Sequence, residues 1–374
     1  MKSVGFICDN EENALEWEQL YNNTLDSSGW SFNHVKKFSG NNTGNIVHRL
    51  AALKTIDEKI KFVHTGTDPK EINSSCKLLV MTVANMIDGN EQLWINGVLN
   101  LSESSSVPVV LFGLGAQTNL DGKIPTMPKS LRDFFLRFVD KGNHLLIRGE
   151  TTKKSLFDNG IKKNIHITGC QSLFLNGKKN LGEIIEAKMQ GKIEKLIYFS
   201  QLSHAEPSLN TLYKKMTTTA DHIMVNGCDG TMWNLFSSAG DQSVDKEIKN
   251  LASLAKGESK DKYNVFVSPN ELKSFLESSK GHVLTPRIHG AMISIASELP
   301  TICAIHDGRV NELCAMHKIP FCDLRDSINK TPEQIFKETT FSGKEFDENR
   351  KKLSQVYINA FKKLKIKYSK NLIM

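Results

Sequence analysis

The seven cysteines of this 374-residue chain include no CxxC pair; they are odd in number and scattered (Cys8, Cys76, Cys170, Cys228, Cys303, Cys314 and Cys322). That pattern argues against a disulfide framework and against a zinc site, and it reads as reduced, mostly buried thiols in a reducing compartment. No apolar run approaches the roughly 20 residues needed to span a bilayer. The chain opens directly on the strand-like Val4-Gly5-Phe6-Ile7-Cys8, leaving no room for a signal peptide, so a cytoplasmic location is expected. Short repeats, low-complexity tracts and a Walker phosphate loop are missing too. So is a strong charge of either sign. The 48 Lys and Arg against 41 Asp and Glu leave a net charge of +7, consistent with anionic substrates and far from a nucleic-acid binder.

What is present is a soluble globular composition, 39% hydrophobic and 24% charged, in a chain too long for one compact core. Two domains are the default. In the first half, residues 11–22 read as a helix, 34–38 as an extended run, and a helix follows with Ile46, Leu50, Leu53 and Ile56 on one face. The near-continuous apolar runs 77–84 and 107–113 predict parallel strands covered on both faces. Residues 131–138 and 151–159 read as helices, and 144–147 and 165–168 as short strands. The second apolar run enters Gly113-Leu114-Gly115-Ala116-Gln117, but Thr118 and Asn119 follow where a dinucleotide fingerprint needs its third glycine. A nicotinamide cofactor is therefore rejected.

A Lys- and Glu-rich stretch at 181–192 reads as a linker, after which strands restart at 195–199, 222–225 and 264–267. A helix at 271–278 leads on to the next unit. Residues 240–262, polar and without periodicity, read as a mobile surface loop. Two successive β/α series predict two Rossmann-like domains, 1–185 and 186–345. Residues 346–374 form a basic C-terminal helix expected to pack back on the first domain. From Arg350 to the end the chain carries eight Lys or Arg and no Asp or Glu. This face reads either as solvated or as a peripheral contact with an anionic membrane or a lipid-linked phosphate.

The most informative stretch is 282–311. A short strand ends at Pro286 and runs into Arg287-Ile288-His289-Gly290, an apolar small-residue helix follows, and a second strand, 301–305, ends in His306-Asp307-Gly308-Arg309. Arg and His two apart at a helix N-terminus favour an anion there, since backbone N–H groups and the helix dipole point the same way. The alternative is that Arg287 pairs with a carboxylate and His289 caps the helix.

Arg148-x-x-Thr151, Leu156, Gly160, Thr168-Gly169, Arg287-Ile288-His289 and Asp307-Gly308-Arg309 together resemble the polysaccharide pyruvyl transferase family. The loop Gly40-Asn41-Asn42-Thr43-Gly44-Asn45 is similar to that family's first loop, and Gly113 to Gln117 to its glycine turn. The resemblance implies an α/β fold of two Rossmann-like domains facing across a GT-B-like cleft. It implies transfer of pyruvate from phosphoenolpyruvate onto two hydroxyls of a sugar acceptor, which can be lipid-linked, as a cyclic ketal. Phosphoenolpyruvate is then a co-substrate, with no further cofactor and no metal. Arg287, His289 and Arg148 match the family's donor-site positions. Asn42, Gly44, Asn45, Gly115, Gln117, Ile288, Gly290, Asp307 and Arg309 are the accompanying substrate-binding candidates. Departures fall at Gly149-Glu150, at Cys170-Gln171-Ser172 and at Arg309, where lysine is expected.

The chemistry agrees with that donor. Arginine forks suit a carboxylate and a phosphate on one small molecule. Addition of a hydroxyl across the double bond needs a proton donor to the methylene carbon, for which His289 is the best candidate. Asp307 and Glu150 are the carboxylates nearest the motifs. Two other readings stay open: a nucleotide-sugar glycosyltransferase, with Glu298 as a ribose ligand, and a non-catalytic binding protein.

Overall fold

The computed structural model describes residues 2–92, 94–118, 120–203, 206–227 and 260–372. The first sheet is built from β1 (Ser3–Cys8), β2 (Ile60–His64), β3 (Cys76–Thr82), β4 (Val109–Leu114), β5 (His144–Ile147) and β6 (Ile165–Ile167), in the order β2-β1-β3-β4-β5-β6. The second holds β7 (Leu196–Ser200), β8 (His222–Val225), β9 (Tyr263–Asn264), β10 (His282–Thr285), β11 (Thr301–Ile305) and β12 (Phe321–Asp323), in the order β12-β11-β10-β7-β8-β9. Every pairing is parallel. These are two Rossmann-like domains.

The apolar strands work as their pattern requires. In β4, Val110 and Phe112 face one core while Val109 and Leu111 face the other, because successive side chains point to opposite faces. The core on the Phe112 side continues through Phe174 to Leu284 and Ile302, so a single apolar cluster joins the two domains.

The helix Gly343–Lys363 closes the arrangement. Leu353, Tyr357, Ala360 and Phe361 form its buried face. The Tyr357 hydroxyl donates to Gly169 O (3.4 Å), and the Phe361 ring lies 5.9 Å from that of Phe112. Beyond the helix, Ser369 N donates to Thr55 O (2.8 Å) and Asp57 N to Lys367 O (2.9 Å), tying the chain end to the first domain. Arg350, counted above in the basic run, is buried and donates to Lys178 O (2.8 Å). Lys351, Lys352, Lys362 and Lys363 remain exposed on the outer face.

Three local expectations are corrected. Residues 34–38 are not extended but belong to the helix Phe32–Ser39, capped by Ser31, whose hydroxyl accepts from His34 N (3.2 Å). Val35 and Phe38, three apart, form its buried stripe. The second strand of the sheet is instead Ile60–His64, a partly exposed edge with a weak apolar pattern. The supposed linker is largely the helix Leu181–Met189, whose Leu181, Ile185 and Met189 are buried and which packs on Gly343–Lys363. The strand read at 264–267 is only Tyr263–Asn264. Of the loop 240–262, residues 240–259 lie outside the described residues, and Lys260–Lys262 form a single 3-10 turn.

Candidate active site

In open α/β sheets ligands bind beyond the carboxyl ends of the strands, at the point where strand order reverses. In the second sheet the order reverses between β7 and β10. There Arg287, just past β10, donates through Nε to Ser200 O at the end of β7 (3.1 Å). His306, Asp307 and Arg309 follow β11. From the first sheet, Asn85 follows β3, Gly115 and Gln117 follow β4, and Arg148 follows β5.

These residues form one polar line across the domain boundary. Arg148 Nη1 donates to Asn85 Oδ1 (3.0 Å), and Asn85 Nδ2 to Gln117 Oε1 (2.9 Å). Gln117 Nε2 in turn donates to Asp307 Oδ2 (3.3 Å), which also accepts from Arg309 Nη2 (3.2 Å). Gly308 N donates to Thr118 O (3.1 Å), so the backbone closes the same contact. A side chain at Gly115 would come within 3.0 Å of Arg148 Cδ, which is why the turn after β4 carries none. Glu312, from the helix Gly308–His317, accepts the Thr151 N–H (2.7 Å) and fills the space left by the missing side chain of Gly149.

Arg148 is buried, yet its Nε and Nη2 have no hydrogen-bond partner, and neither do Arg309 Nε and His289 Nε2. Three guanidinium N–H positions and an imidazole nitrogen without partners can together take an anionic ligand, since an unsatisfied buried polar group costs about 1–3 kcal/mol, more when charged. Burial holds the His289 imidazole well below its ordinary pKa, and His48, Arg148, Arg309 and Arg287 push the same way. Near neutral pH this favours the uncharged His289 imidazole.

His289 is not the helix cap. Arg287 occupies that position with no side-chain capping bond, and His289 is buried in the first turn of Ile288–Ala296. Its ring stacks on His48 from the helix Gly44–Lys54, with centroids 5.3 Å apart and planes 16° from parallel. His48 Nε2 donates to Val83 O (2.9 Å), and Gln171 Nε2 donates to His48 Nδ1 (2.6 Å).

Not every candidate converges. Asn42 Oδ1 accepts from Gly44 N (2.9 Å), shaping the first loop, and Thr43 N reaches across to Asn226 O (2.8 Å). Asn45 spends its amide on Ser39 O (3.0 Å) and Gly40 O (3.3 Å), a loop clamp. Ile288 belongs to the core, and a side chain at Gly290 would meet the Phe199 ring. Glu298, at the far end of the same helix, pairs with Lys178 away from the strand ends. Glu150 is exposed and pairs with Lys153 (3.5 Å).

The sequence reading missed His48, Asn85 and Gln171. His48 left a trace four residues after Gly44, on the same helix face, and Gln171 stood in the departure Cys170-Gln171-Ser172. The fold also assembles a donor set that spacing hid: ligand atoms of His48, Cys170 and His289 all lie within 4.8 Å of one another. The guanidiniums of Arg148, Arg287 and Arg309 act on this spot and oppose a cation.

Fold and site together define an α/β protein with two Rossmann-like domains, whose strand ends bring arginine and histidine side chains together at the domain boundary. The chain belongs to the polysaccharide pyruvyl transferase family, whose pattern matches residues 11–308, and is thereby a transferase of polysaccharide biosynthesis. No curated protein sequence matches it. Among solved structures it is similar to MnaA of S. aureus, in a co-structure with UDP, at 11% identity and a TM-score of 0.42, covering 96% of this chain and 98% of that one. It is likewise similar to UDP-GlcNAc 2-epimerase from Neisseria meningitidis, bound to UDP-GlcNAc, at 11% identity and a TM-score of 0.43, covering 96% of this chain and all of that one.

Proposed function

We propose that the chain transfers pyruvate from phosphoenolpyruvate to two hydroxyls of a sugar, forming a cyclic ketal and releasing inorganic phosphate. The observation that carries this reading is the set of unpartnered buried donors on Arg148, Arg309 and His289. A molecule with a phosphate and a carboxylate one carbon apart supplies acceptors for all of them. In the first step a sugar hydroxyl oxygen bonds to C2 of the donor, the double-bond electrons take a proton at C3, and the hydroxyl proton leaves. In the second, the C2–O bond to phosphate breaks and the neighbouring hydroxyl closes the ring, its proton leaving with the phosphate.

His289 is the proposed proton source for C3. Burial is the main cause of its neutrality, with His48 and the arginines adding to it, and the arginines' share is what the donor neutralises. Binding a multiply charged anion reverses that field, so donor and proton arrive together. Calorimetry of phosphoenolpyruvate binding at pH 7.5, in buffers of different ionisation enthalpy, measures this. Uptake of close to one proton is expected in the wild type and markedly less in His289→Gln. Binding with no proton uptake would contradict the role. The glycosyltransferase alternative loses its marker, because Glu298 pairs with Lys178 at the wrong end of its helix.

A further inference from the structure

We propose that His48 is a positioning residue, whose ring face fixes the orientation of the His289 ring and so the aim of its buried, unpartnered Nε2. What the aimed nitrogen does rests on the donor reading above; the orientation does not. Both nitrogens of His48 are committed to the fold. Nε2 donates to Val83 O, so Nδ1 carries the lone pair and accepts from Gln171, whose amide also donates to His48 O (3.0 Å). Only the ring face is left, and it is turned to His289.

Two separate loops make room for the stack. Gly113 has φ +77°, and a side chain there would overlap His48 Cε1 and lie 3.0 Å from Nε2. A side chain at Gly44 would lie 3.2 Å from His289 Cβ and 3.4 Å from Nδ1. The two glycine turns conspicuous in the sequence thus leave space for the His48 ring and for the base of the His289 side chain. Burial keeps His48 itself uncharged. A neutral aromatic face supports a neighbouring imidazolium, where a second cation would repel it.

Two substitutions separate ring from hydrogen bonds. His48→Phe keeps a ring face and loses both bonds; His48→Gln retains bonding groups and loses the ring. The first readout is the His289 Hε1 resonance, assigned with His289→Gln, because a stacked ring shifts it. It should stay near the wild-type position in His48→Phe and move in His48→Gln. The second is turnover, expected to fall about 10–10²-fold in kcat with KM little changed in His48→Gln, and far less in His48→Phe. A purely structural histidine gives the opposite ranking, since His48→Phe leaves Val83 O and Gln171 unpaired. That ranking, or an unmoved resonance in His48→Gln, overturns the proposal.

If His48→Phe does not fold, Gly44→Ala sets a methyl 3.0 Å from Asn42 Oδ1 and 3.2 Å from His289 Cβ, crowding the base of the His289 side chain while His48 itself is kept. It should shift the resonance and lower kcat, and no change in either would also overturn the proposal. If the wild type releases no phosphate from phosphoenolpyruvate, the donor reading fails while the resonance still decides the stack.

Discussion

Arg148 is an expensive residue to bury. Desolvation of a guanidinium costs several kcal/mol, and here that cost is offset by a hydrogen bond to Asn85 while Nε and Nη2 stay unpartnered. Burial accordingly pulls its pKa down from the ordinary arginine value. A structural arginine is better satisfied, as Arg350 is by two backbone carbonyls and Asp347. The contrast yields a prediction with two readouts. Arg148→Met should weaken phosphoenolpyruvate binding by about 1.5–3 kcal/mol in calorimetry. It should leave the urea stability of the empty protein unchanged or raised, because a poorly paired buried charge is removed. Strong destabilisation with unaltered affinity would mark Arg148 as a core residue instead. Its position was legible, since an arginine directly after a four-residue apolar strand has few structural uses. Asn85 was not legible, because a lone asparagine after a strand looks like any turn residue.

At the level of elements, the strands His144–Ile147, His222–Val225 and Thr301–Ile305 could be read from apolar runs with sharp polar ends. The edge strand Ile60–His64 and the short helix Phe32–Ser39 could not. Ile60–His64 pairs on one side only and buries little, while Phe32–Ser39 is too short for its period to stand out. The helix Gly308–His317 shows what sequence conceals. Its Glu312 and His317 both reach the first domain, the latter accepting Cys170 N–H at Nε2 (2.9 Å). Burial lowers the His317 pKa to about 3. The unfolded chain takes up this proton near pH 6.5 and the folded one only near pH 3, so stability falls as pH drops between those values. The slope from His317 is about 1.4 kcal/mol per pH unit. Urea midpoints from pH 7 to pH 4 should therefore decline less steeply in His317→Gln than in wild type. Parallel declines would show that acid sensitivity arises elsewhere.

Across the whole molecule, the site exists only where the two domains meet. Arg148, Asn85 and Gln117 come from one sheet and Arg287, His289, Asp307 and Arg309 from the other, and the line Arg148–Asn85–Gln117–Asp307–Arg309 is complete only with both in place. Arg148, Gln117, Arg287, Asp307 and Arg309 were legible as residues following strands, since period and charge placement are local. It could not give their pairing, which depends on a helix from each domain, Gly44–Lys54 and Ile288–Ala296, packing together. The central claim is that this composite site moves pyruvate from phosphoenolpyruvate to a sugar with His289 as the proton donor. Its most direct measurement is acceptor-dependent phosphate release from phosphoenolpyruvate by wild type and His289→Gln. Glutamine keeps a hydrogen-bond donor but supplies no proton near neutral pH. The account predicts release above the no-acceptor background in wild type, and about 10²–10⁴-fold slower turnover in His289→Gln with donor affinity at that pH less affected than rate. Near-normal turnover in His289→Gln, with only weakened donor binding, would contradict it.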